Sequence, residues 1–350
     1  MTELKIGGGQ GYLRIATEEA FMPPETIDFY AAVLDGPDPD PGFQSLWGFY
    51  LRSEAARPRF IRNALISMGE SRIADMDARG IDRQIIALTS PGTQCLSRDK
   101  AIAFATIAND QLGEACRNYP ERFTGMVACA PQDAEGAAKE IERGVHTYGF
   151  RAVIINSHTN GEYLDNPKFW PILEAAEALD VPIYIHPNTP PRNMIQPMLE
   201  AGLDGAVFGF GVETGLHALR VITSGVLDRF PKLQIIIGHM GEALPYWLYR
   251  LDFMHQAGVG AGRYDCMKPL KKEKVSNYLR ENFYITNSGV AWEPAIKFAQ
   301  SVIGKERVLY AMDYPYQCPP EEVIALDAMD MNLADKKMFF QTNAERVFKL

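Results

Sequence analysis

Residues 181–187 read VPIYIHP, and residues 233–241 read LQIIIGHMG. Each is an aliphatic run that ends at a histidine beside a proline or glycine. A strand with one wet face alternates apolar and polar residues. A strand buried on both faces, as in a parallel sheet, is apolar throughout. Six further runs share this character: Leu13–Phe21, Arg83–Ser90, Phe123–Ala130, Arg151–Ser157, Phe283–Gly289 and Arg307–Pro315. Helix-like segments alternate with them, at Ser71–Arg79, Asp99–Asn118, Asp133–Tyr148, Pro167–Leu179, Glu242–His255, Trp292–Val302 and Leu333–Phe348. Asn166 before Pro167 reads as a helix cap, and Gly80 and Gly149 as stops. Strand and helix alternating eight times predict an α/β fold, a (β/α)8 TIM barrel. A doubly wound open sheet is the competing arrangement.

Two long insertions interrupt the rhythm. Residues 22–66 follow the first strand; residues 188–231 follow the fifth and contain a helical run near Glu213–Leu227. Loops after barrel strands lie on the face where active sites form, so these insertions read as lids or subunit surfaces. With 350 residues, 47% of them hydrophobic, the chain can fill one large core. A single domain over 1–350 is expected. No apolar run is long enough for a membrane span. Met1–Gly11 lacks the basic-then-apolar order of an export signal. A net charge of −9 argues against nucleic acid as a partner. The five cysteines, Cys95, Cys116, Cys129, Cys266 and Cys318, are scattered and show no CxxC spacing. They read as reduced thiols of a cytoplasmic protein.

Side chains able to bind a metal or move a proton fall at the strand ends: Glu18 and Glu19 on the first, His186 on the fifth, His239 on the sixth and Asp313 on the eighth. A barrel gathers these ends at one mouth. Only one of Glu18 and Glu19 can point inward, because neighbours on a strand alternate faces. Carboxylates with an imidazole suit a divalent ion of intermediate hardness, Mn²⁺ or Zn²⁺. His239 suits acid–base work, with Glu242 three residues on to orient its ring. The competing reading has His239 satisfied by backbone and Glu242 favouring the start of the next helix. His158 reads as a loop residue, and His146, His217 and His255 as structural. Thr89 and Phe210 are candidate substrate contacts. Arg57 and Arg250, read alone, are solvated charges.

Taken together, Glu18-x-Ala20, Tyr-Ile-His186-Pro, Gly-His239-Met-Gly-Glu242 and Met-Asp313-Tyr-Pro resemble the amidohydrolase superfamily, in its branch of non-oxidative aromatic-acid decarboxylases. Further matches are ATEEAF at 16–21, SLWGFY at 45–50, FGFGVETG at 208–215, GHMGEALPYWLYRLD at 238–252 and TNSGVAWEPAIKF at 286–298. The resemblance implies one metal, Mn²⁺ before Zn²⁺, on Glu18, His186 and Asp313. It implies that His239 lies beside the metal and that Arg57 and Arg250 grip the substrate, Arg250 from a neighbouring subunit. A homodimer or higher homo-oligomer follows. The expected reaction is loss of CO₂ from an ortho-hydroxy aromatic acid from lignin-derived material, with 5-carboxyvanillate giving vanillate. Asp313 would donate the proton, with His239 and Glu242 assisting. Many superfamily members carry His-x-His on the first strand and a bridging lysine on the fourth. Glu18 and Ala20, and Asn156-Ser157-His158, stand there instead, which argues for one metal. A hydrolase or hydratase acting on a ring-cleavage product is the alternative enzyme, and a barrel that binds without catalysis the non-enzymatic one.

Overall fold

The computed structural model describes residue 4 and residues 6–350. The reading of Met1–Gly11 therefore falls partly outside the described residues. Eight strands form: β1 (Ile15–Phe21), β2 (Arg83–Leu88), β3 (Phe123–Ala128), β4 (Ala152–Ile155), β5 (Ile183–Ile185), β6 (Ile235–Ile237), β7 (Phe283–Thr286) and β8 (Val308–Leu309). Each pairs in parallel with the next, in sequence order. The seam between β8 and β1 is bridged by backbone bonds from the Thr17 amide to the Tyr310 carbonyl (3.1 Å) and from the Ala20 amide to the Tyr314 carbonyl (2.7 Å). The Thr17 hydroxyl donates to the same Tyr310 carbonyl at 2.8 Å. These bonds bring the ends of the sheet together as a (β/α)8 barrel, not an open sheet.

The helices appear close to their expected positions, with informative exceptions. Asn166 does cap its turn, its side chain accepting from the Lys168 amide. Gly149 ends its helix with φ of 69°. The segment Leu333–Phe348 breaks into Leu333–Lys337, a π-helical turn at Met338–Thr342, and Asn343–Phe348. Residues 22–66 hold three helices, Thr26–Leu34, Pro41–Arg52 and Ala56–Ile66. Residues 188–231 hold Gln196–Ala201, Gly209–Thr223 and Val226–Arg229. Among the described residues, no helix is long and apolar enough to cross a membrane.

The largest departure is at β6. The run to Gly241 reads as strand, yet pairing stops at Ile237. Residues His239 to Ala243 all have positive φ, between 49° and 72°. Left-handed backbone costs an L-residue about 1–2 kcal/mol, so the surroundings must hold this turn in place. It also delays the following helix, expected from Glu242, to Leu244.

The barrel seam sits directly under the two carboxylates at its ends, Glu18 and Asp313. Thr17→Val keeps the side-chain shape and the amide bond but removes the hydroxyl bond. It is expected to lower unfolding stability by about 1 kcal/mol, measured by urea denaturation with an unchanged m-value. No change in midpoint would show that the hydroxyl does not tie the seam.

Candidate metal centre

A bulge at Thr17–Glu18 precedes Glu19. The register of β1 against β2 shifts between Ala16 and Glu19, and an extra residue in one strand re-aims side chains. Glu19 is fully buried on the outer side of the barrel. There it accepts from the Met312 amide at 2.9 Å and from Gln84 at 3.3 Å, near the buried Arg72. Burial pushes its carboxyl up to about 8.

Glu18 points into the mouth. Its Oε2 accepts from the Tyr184 hydroxyl and from the Thr286 hydroxyl, the latter at 3.0 Å. Its Oε1 is buried yet has no hydrogen-bond partner. That atom lies 3.3 Å from His186 Nε2 and 3.4 Å from His239 Nε2. His186 Nδ1 lies 2.9 Å from the Pro187 carbonyl. A carbonyl only accepts, so Nδ1 carries the proton and the lone pair on Nε2 faces the mouth. One donor atom each from Glu18, His186 and Asp313 lies within 4.8 Å of the other two. The orphaned Oε1, the free imidazole lone pair and the mixed oxygen–nitrogen set fit a divalent cation. Gly238 completes the cradle, for a Cβ there would fall 2.6 Å from Glu18 Oε2.

The charges are strongly coupled. Burial, reinforced by Glu18, raises Asp313 well above the usual carboxylate range. Burial lowers His186, with Glu18 opposing. For His239, burial favours the neutral ring, but Glu18, Glu242 and Asp313 outweigh it and push the imidazole up to about 10. A cation among these groups would reverse the logic for Asp313 and hold it as a carboxylate.

Above the cluster opens a cavity of about 740 Å³ lined by His186, His239, Glu242, Asp313, Arg57 and Phe210 together with aliphatic and aromatic side chains. Arg57 donates to the Tyr316 carbonyl at 2.7 Å. Thr89 lies deeper, beside Glu18 and Asp313. Its hydroxyl is 2.6 Å from that of Tyr316. Glu242 Oε1 pairs with His239 Nδ1 at 2.8 Å.

Arg250 is not among the lining residues. It lies on the exposed side of the helix Leu244–Gly260, among exposed Tyr246, Trp247, Tyr249 and Phe253. His158 is buried, not a surface loop residue. It contacts the Thr189 carbonyl at 3.0 Å and borders a separate cavity. Sequence reasoning missed Tyr184, Thr286 and Tyr316. Tyr184 carried a signal: two residues before His186 on a strand, it shares that residue's face.

The chain belongs to the amidohydrolase family, whose profile matches residues 62–350. Within it, the chain is 60% identical to 5-carboxyvanillate decarboxylase from Novosphingobium aromaticivorans, solved with manganese and 4-hydroxy-3-methoxy-5-nitrobenzoic acid. That match covers 100% of both chains with a TM-score of 0.98. It is 37% identical to 5-carboxyvanillate decarboxylase from Sphingomonas paucimobilis, over 97% of this chain and 99% of that one, with a TM-score of 0.91. It is 33% identical to γ-resorcylate decarboxylase of a Rhizobium species, over 96% of this chain and 98% of the relative.

Gly238 has φ of −78°, which any residue adopts, so Gly238→Ala tests the cradle by bulk alone. The variant is expected to fold and to lose at least tenfold in Mn²⁺ affinity, read by metal analysis after equilibrium dialysis. Full occupancy at wild-type affinity would show that Glu18 is not positioned by this gap.

Proposed function

We propose that the chain is a metal-dependent carboxy-lyase, one catalytic domain, that removes CO₂ from an ortho-hydroxy aromatic acid, with 5-carboxyvanillate as substrate and vanillate as product. The observation that carries this reading is the three-donor cluster beneath an aromatic-lined cavity that also holds an arginine. It is supported by the near-superposable relative, whose bound nitro acid is 5-carboxyvanillate with a nitro group in place of the 5-carboxylate.

Glu18, His186 and Asp313 would hold the metal, Mn²⁺ in preference to Zn²⁺, and the ion supplies Lewis acidity to the paired oxygens of the substrate. The residues of the chain do the rest. Direct loss of CO₂ would leave an aryl carbanion, so protonation must come first. Asp313 takes the phenol proton and delivers it to the ring carbon bearing the carboxylate. The carbon–carbon bond then breaks, its electron pair restores aromaticity, and CO₂ departs. His239, held by Glu242, binds the phenolic oxygen. Arg57 takes the remote carboxylate, and Thr89 and Phe210 border the ring, which fixes its orientation.

Arg250 belongs to the site only across a subunit boundary. Its helix exposes 76% of Tyr246 and 86% of Tyr249, and an exposed aromatic patch of this kind favours a partner surface. A homodimer that seats this patch beside a neighbour's mouth gives Arg250 a substrate carboxylate to bind. The unpaired cysteines support a cytoplasmic setting.

The activity is tested by loading the metal-stripped protein with Mn²⁺, adding 5-carboxyvanillate and following vanillate and CO₂. Turnover is expected, and its absence under every divalent metal tried sinks the named reaction. Asp313→Asn should cut kcat by about 10²–10⁴-fold; full turnover would remove Asp313 as the proton donor. Arg250→Ala is expected to raise KM at least tenfold in a protein that stays dimeric by light scattering. A wild-type KM would place the carboxylate elsewhere.

A further inference from the structure

Strand β8 ends at Leu309, where its pairing with β7 stops. Asp313 therefore lies beyond the sheet, and its backbone is left-handed, with φ of 71°. An L-residue keeps such a conformation only where its surroundings over-determine it. The two flanking residues show what does so. The Tyr314 carbonyl accepts from the Ala20 amide at 2.7 Å. On the other flank the Met312 amide donates to Glu19 Oε1 at 2.9 Å. A side chain from β1 thus takes the place of a ladder bond.

Glu19 is itself held. Arg72, on the helix Glu70–Ala78, is fully buried, and its Nε donates to Gln84 Oε1 at 2.7 Å. A guanidinium only donates, so the Gln84 carbonyl oxygen faces Arg72 and its amide nitrogen faces Glu19. That nitrogen donates to Glu19 Oε2 at 3.3 Å. Arg72 Nη1 donates to the Ala20 carbonyl at 2.8 Å, and the guanidinium carbon lies 4.6 Å from the centre of the Tyr314 ring. The brace therefore touches β1, β2 and both neighbours of Asp313.

We infer that Glu19 is a positioning residue for the metal centre: through the Met312 amide it holds Asp313 against Glu18 at the spacing a divalent ion needs. This rests on Glu18 and Asp313 binding the metal as proposed above. One strand then supplies one ligand directly and sets another through the backbone. Glu19 does not line the substrate cavity. The Met312 amide requires an acceptor oxygen at this reach, which an amide side chain supplies as well as a carboxylate does.

The test compares metal-stripped Glu19→Gln, Glu19→Asp and Glu19→Met with wild type. Glutamine keeps an acceptor at the same reach and drops the charge. Aspartate keeps the charge and falls a methylene short. Methionine keeps the bulk and has no comparable acceptor. Equilibrium dialysis with Mn²⁺ should place Glu19→Gln within about threefold of wild type, and the other two at least about tenfold weaker. Co²⁺-loaded protein at full occupancy gives a second readout, because its visible bands report donor geometry. The bands should shift in Glu19→Asp and Glu19→Met and return to the wild-type position in Glu19→Gln. A residue that merely fills the core would lower the melting temperature and leave affinity and bands unchanged. That result overturns the proposal, and so does a Glu19→Gln that fails along with Glu19→Met. If Glu19→Met does not fold, Glu19→Gln against Glu19→Asp decides. Wild type that binds no Mn²⁺ would refute the metal reading and this inference with it; wild-type affinity in the aspartate and methionine variants refutes the role of Glu19 alone.

Discussion

Glu18 joins strands that are distant in sequence, and its two oxygens have different tasks. Oε2 is committed to Tyr184 on β5 and Thr286 on β7, with Gly238 at the end of β6 leaving it room. Oε1 is thereby turned toward His186 and His239 and left without a hydrogen bond. A buried carboxylate oxygen without a partner is costly unless an ion or proton completes it. Around it, burial, with Glu18 adding to it, raises Asp313, while Glu18, Glu242 and Asp313 together outweigh burial and favour the protonated ring of His239.

The left-handed turn from His239 to Ala243 serves the same centre. A strand continuing through Gly241 would alternate its side chains between core and exterior. By leaving the sheet at Gly238, the chain places His239 and Glu242 together over the mouth, joined at 2.8 Å. The second insertion explains how so unusual a backbone is tolerated. Its helix Gly209–Thr223 presents Gly211 to Glu242, where a Cβ would fall 2.9 Å from Oε2. Gly211, in the segment FGFGVETG, thus serves close packing of the helix against the turn.

The cavity divides the substrate's expected chemistry in two. The metal-binding residues and His239 lie at the floor, suited to the hydroxyl and the carboxylate to be lost. Arg57 lies on the wall, anchored to the backbone at Tyr316, where a remote anion can be held. Arg250 stands on an exposed aromatic face instead.

Much of this was legible in the residues alone. Continuous aliphatic runs mark strands buried on both faces, because burial is written in side-chain type and needs no knowledge of the partner strands. The donors Glu18, His186, His239 and Asp313 were visible for the same reason, as polar side chains at the ends of apolar runs. What the local pattern did not contain was orientation. That Glu18 and not Glu19 enters the mouth depends on a bulge in the pairing of β1 with β2. That Tyr184 and Thr286 orient it depends on contacts across 166 and 268 residues of chain. The turn at His239 is likewise invisible to periodicity, since IIIGHM reads as strand until a helix from a distant insertion packs against it. Side-chain type and spacing determined the barrel and its donors; only the closed tertiary structure, through steric and hydrogen-bond contacts between remote segments, decided which atoms face one another.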